Sequence, residues 1–156
     1  QQGEARGTTE ARLRMAAVQA DASDWDAVEK ALATIPAEAL ANREQAAALA
    51  IHRGEIAMGR GDRPRALKHA DAALADADAA HSYPMQLRAR LLRMGIHLAG
   101  GNKAAANREL PEIDRLLQNY PAAELRRMRE RLVESMRGTL SPAGRKVATT
   151  QGRGRG

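Results

Sequence analysis

Three short turn signals, Ser23-Asp24, Gly61-Asp62 and Gly101-Asn102, fall 38 and 40 residues apart and constrain this chain more than any other feature. In each, a small residue able to end a helix precedes an Asp or Asn able to cap the next one. Counting back ten, seven, six and three from each signal gives Leu13, Ala16, Ala17 and Ala20, then Ile51, Gly54, Glu55 and Met58, then Leu91, Met94, Gly95 and Leu98. This i, i+3, i+4, i+7 spacing marks one buried helix face. Counting forward five, nine and twelve gives Val28, Leu32 and Ile35, then Ala66, Ala70 and Ala73, then Ala106, Leu110 and Ile113. Each signal therefore joins two amphipathic helices, and the unit is an antiparallel helical hairpin repeated three times.

Composition supports helices throughout. The chain has 34 Ala, no Phe, one Trp and two Tyr, which leaves few of the residues that strands favour and many that helices favour. The expected helices are 8–21, 24–35, 38–60, 62–77, 84–99, 103–119 and 122–137. Pro36, Pro84 and Pro121 mark boundaries, and Pro111 is expected to kink or split its helix. The last helix carries Leu125, Met128, Leu132 and Met136 on one side and arginines around the rest, as a terminal cap would. The expected fold is an all-α solenoid of three hairpins over 8–137 with this C-terminal capping helix. Residues 1–7 and the Gly- and Arg-rich 138–156 are expected to be disordered.

The stretch "RGEIAMGRGDRPRALKHADAAL" carries a Gly late in one helix, Gly-Asp at the turn, and small residues at Ala66 and Ala73. It resembles the tetratricopeptide repeat family, and the resemblance extends over about residues 9–119, with 122–137 placed like that family's capping helix. The units here are atypical, at 38–40 residues against about 34 in the family. The resemblance implies a right-handed superhelix whose concave face, lined by first helices, binds a peptide or helix of a partner protein.

The other motifs read as structure. Arg60-Gly61-Asp62 matches an adhesion tripeptide, but Gly61 suits a left-handed helix end, Asp62 an N-cap and Pro64 a first helical turn. The glycines lack the Gly-Lys-Ser/Thr ending of a phosphate loop. His52, His69, His81 and His97 have no metal-ligand spacing, and no cysteine can complete a zinc site. No catalytic residue, cofactor or metal is expected. Trp25 is expected to cover the open end of the first hairpin. Glu55, on an apolar stripe, is expected either to turn outward or to pair with Arg14, Arg53 or Arg88.

Beside the core stripe lies a second face, holding Arg14 and Val18, then Leu49, His52 and Ile56, then Leu92 and Ile96. Val18, Ile56 and Ile96 are equivalent and β-branched, a choice helix propensity alone would not make. Two readings stand: these residues pack against the neighbouring repeat, or they line a groove for a partner, with Arg14 and His52 as polar contacts. Of the net charge of +6, much lies in the tail, at Arg145, Lys146, Arg153 and Arg155. With Arg126 and Arg127 these form a candidate anionic docking site. No aromatics interleave, so contact with nucleic acid would be non-specific.

The function expected is a non-enzymatic scaffold or adaptor for a protein or peptide segment. The alternatives are a helical-repeat part of a larger regulator or assembly with self-association, a secretion chaperone, and electrostatic docking through the tail. No apolar run approaches the roughly 18 residues of a membrane span. The Met-less Gln1 start is compatible with a cleaved signal or an excised domain, so cytoplasm and periplasm both stay open. The excess of arginine over lysine, 21 to 4, fits a GC-rich, bacterial coding sequence.

Overall fold

A computed structural model describes residues 11–15, 24–35 and 42–138. Among them the regular structure is entirely helical: a stretch over 11–15, then α1 (Trp25–Ala33), α2 (Arg43–Gly59), α3 (Arg63–Ala79), α4 (Tyr83–Ala99), α5 (Lys103–Asn119) and α6 (Ala123–Met136). Neighbours in sequence pack together from α1 through α5, and α2 touches α4 as α4 touches α6. The chain is an all-α helical-hairpin solenoid.

The beat of the stack is a single helix. From α2 to α5 every helix has 17 residues, and the starts at Arg43, Arg63, Tyr83, Lys103 and Ala123 fall 20 apart. Three successive junctions share one construction. At the first, Gly61 N–H donates to the Met58 carbonyl and Asp62 N–H to the Ala57 carbonyl. The same pair of bonds recurs at His81–Asp78 with Ser82–Ala77, and at Gly101–Leu98 with Asn102–His97. This closure satisfies the last carbonyls of the helix and needs a left-handed residue at its centre. Gly61 (φ 76°) and Gly101 (φ 75°) supply it without strain; His81 (φ 52°) supplies it as a non-glycine.

The caps follow the sequence. Asp24, Asp62 and Asn102 accept from the backbone N–H groups of Ala27, Arg65 and Ala105. Ser82 differs: its hydroxyl donates to the Glu44 carboxylate at 2.8 Å, tying the start of α4 to the start of α2. The expected helix 38–60 is corrected at its start. Asn42 is extended and accepts from the N–H groups of Glu44 and Gln45, so α2 begins at Arg43. That cap defines a helix start that alanine content alone would not. Of the kink or split expected at Pro111, the split is corrected, since α5 runs through it as one helix. Pro111 is exposed, and so is Asn107, whose carbonyl loses its helical partner there, so water can serve that oxygen. Ser23, most of the expected helix 8–21, and the segments 1–7 and 139–156 lie outside the described residues.

The core changes character along the stack. Leu87, Leu91, Met94, Ile113, Leu116 and Leu125 fill the α4–α5–α6 end, and Leu13, Val28, Leu32, Leu49 and Ile56 fill the other. Between them α2, α3 and α4 meet through Ala57, Ala66, Ala70 and Ala73 with Ile51 and Ile96. Small side chains bring these helices close. At Gly54 an added Cβ would sit 2.8 Å from Leu92 Cδ2. Because α2 has neighbours on three sides, its buried residues are spread around it rather than along one stripe. Trp25 lies over the end of α2, where a Cβ on Gly59 would come within 2.2 Å of its Nε1. On α6 the apolar side packs against α4 and the far side is charged.

Candidate functional site

The face read from sequence as a groove is largely covered. Leu49 and Ile56 belong to the core with Leu13, Val28 and Leu32, and Ile96, 1% exposed, packs on Ala57, Ala66 and Ala70. Leu92 is half-buried between α2, α3 and α4. His52 is buried, with Nδ1 3.1 Å from the Glu55 carboxylate. Glu55, expected to turn outward or to pair with an arginine, keeps a partly exposed side chain and meets His52 rather than an arginine. Neighbouring helices therefore cover Leu49 and Ile96, whereas Ile56, 7% exposed, packs in the core and also borders an open groove. Arg14 is exposed, and Val18 lies outside the described residues.

The open groove shares only Ile56 with that face. It encloses about 660 Å³ between α1, α2 and α3. Its floor is apolar, from Leu32 of α1 and Ile56 and Ala57 of α2, with the exposed Ala33 at its rim. Arg53 of α2 and Arg65, Lys68 and His69 of α3 form the walls. The last three share a face because they are spaced i, i+3, i+4. Two acids also border the groove, and each is engaged. Glu29 accepts from Arg60 at 2.6 Å, beside an Arg60–Asp26 contact of 3.0 Å, and Asp62 caps α3. Arg53, Arg65 and Lys68 have no carboxylate partner among the described residues. Their field is felt by His69: burial first, then the charges of Arg53, Arg65 and Lys68, hold its imidazole below the usual histidine range.

The second hollow runs along the outer side of α6, about 770 Å³ beside Arg129, Glu130, Arg131 and Glu134. Its charge is mixed. Arg129 is held in a two-pronged contact with Asp114, at 2.6 and 3.1 Å. Of the expected anionic docking set, Arg126 and Arg127 are exposed on α6. Arg145, Lys146, Arg153 and Arg155 lie outside the described residues.

Compared with known proteins, the chain matches no family model, no curated protein and no solved structure. Among the described residues, no helix is long and apolar enough to cross a membrane, and no three His, Cys, Asp or Glu side chains gather as metal ligands would. The candidate site therefore stands on its own geometry. Cations with no carboxylate partner among the described residues, set above an apolar floor, can hold a ligand that combines anionic and apolar groups. Sequence reading did not assemble this set, because its cations come from two helices. The Arg65, Lys68, His69 spacing was the available signal.

Proposed function

We propose that this chain is a non-enzymatic, tetratricopeptide-like scaffold that binds an extended or helical segment of a partner protein. The groove between α1, α2 and α3 carries the reading. Its walls belong to separate helices of one stack, and an apolar floor between charged walls offers places for both kinds of side chain that a peptide presents. Ala33 is an exposed groove residue at the end of α1, so a large side chain can fill the channel from its rim.

The test is selection of a random linear peptide library on the full chain, followed by affinity measurement of the enriched peptides. Enriched peptides should bind one per chain, and Ala33→Trp should weaken them by about tenfold or more, a loss of about 1.4 kcal/mol. Unchanged helical circular dichroism would show that the stack persists. Failure to enrich any peptide, or affinity indifferent to Ala33→Trp, rejects the groove as the binding surface.

A further inference from the structure

Resting on the scaffold reading, we infer that the α1–α2–α3 groove selects an acidic segment of a partner protein, with carboxylates against Arg53, Arg65 and Lys68 and an apolar side chain on the Ile56–Ala57 floor. Charge complementarity carries this. The two acids at the border are already committed to Arg60 and to the α3 cap, whereas the three cations opposite have no carboxylate of their own among the described residues. Like charges held on adjoining walls repel one another, and an anionic guest relieves that repulsion.

The guest is a peptide rather than a nucleic acid for two reasons. The floor is aliphatic, and no aromatic side chain lines the groove to stack on a base. Glu29 and Asp62 also stand along the border, where an unbroken line of phosphates would meet them. The basic tail of this chain is excluded as occupant by its own charge, since Arg145, Lys146, Arg153 and Arg155 would face cations.

His69 offers an internal reporter. Its pKa is held down by burial and by Arg53, Arg65 and Lys68, with Glu29 and Arg60 across the groove. A bound carboxylate reverses the local potential, so the His69 pKa measured by NMR should rise on binding.

The experiment uses the full chain and the library-selected peptides, with the twelve-nucleotide oligomer of uridine as the competing probe. Peptides lost on Ala33→Trp should be enriched in Asp and Glu. Arg65→Glu and Lys68→Glu should each weaken them about tenfold, Arg108→Glu on the exposed side of α5 should leave them within about twofold, and the His69 pKa should rise. Groove-dependent peptides that are neutral or basic, or indifferent to the charge reversals, overturn the acidic preference and leave the scaffold reading standing. Absence of groove-dependent peptides removes both. Oligouridine binding that matches the peptides and is lost in Lys68→Glu overturns the peptide assignment in favour of nucleic acid.

Discussion

At the scale of single residues, His81 shows what the junctions demand. It occupies the position held by Gly61 and Gly101, with the same two backbone hydrogen bonds around it, at φ 52°. A side chain in the left-handed region costs about 1–2 kcal/mol, somewhat less for histidine, and the greater freedom of unfolded glycine returns part of that. His81 is exposed, so little packing is lost on replacement. His81→Gly should therefore stabilise the fold by about 0.5–1 kcal/mol, raising the thermal midpoint by about 1–4 °C. A lower midpoint would mean that the imidazole makes a contact worth more than the strain.

At the scale of elements, α5 is the informative case. Pro111 removes one hydrogen bond within a helix that nevertheless continues for two more turns. Asn107 and Pro111 are both exposed, so water can serve the freed carbonyl and the defect is tolerated rather than compensated. Pro111→Ala should restore the bond and stabilise the fold by about 1–2 kcal/mol, less than the roughly 3 kcal/mol separating the residues in a helix interior. Chemical denaturation measures this, and an unchanged midpoint would show that the local backbone is not helical enough to profit.

The elements also show what the sequence made legible. The Gly61-Asp62 and Gly101-Asn102 corners, the helix over 103–119 and the cap-like face of α6 follow from local chemistry that any window of a few residues displays. The 20-residue beat did not stand out, because the junction between hairpins has histidine where its siblings have glycine, and a search for glycine passes it by. The start of α2 depended on one asparagine side chain competing with an alanine-rich run before it. The groove was the least legible part, since which helix faces stay uncovered is settled by how α1 and α3 lie against α2. Ile56 illustrates the difficulty: its periodicity marks an apolar face without saying what covers it.

At the scale of the molecule, polar ties cross between helices. Glu109, only 6% exposed on α5, accepts from Arg90 at 3.1 Å and from Arg93 at 2.5 Å, and Arg93 reaches on to Asp71 of α3 at 3.0 Å. Burial disfavours the Arg93 charge, but its hydrogen bonds to Glu109 and Asp71 prevail and hold it above the ordinary arginine value. The network thus links α3, α4 and α5 around one carboxylate. Removing a fully buried partner of this kind costs about 3–5 kcal/mol. Both arginines keep about 20% exposure, so water softens the loss, and Glu109→Gln should cost about 2 kcal/mol. A loss below about 0.5 kcal/mol in equilibrium denaturation would show that the three charges are solvated well enough to dispense with one another.

The position of the groove has a last consequence. Its two banks are the brief nine-residue rung α1, which leans on α2, and the full-length rung α3. A guest lying there would lash the ladder's first rung to its third, so whatever free energy fastens the guest also goes toward fixing that rung in place. Occupancy should then shield the amides of Trp25–Ala33 from hydrogen exchange more than those of α5, although both helices are parts of one stack.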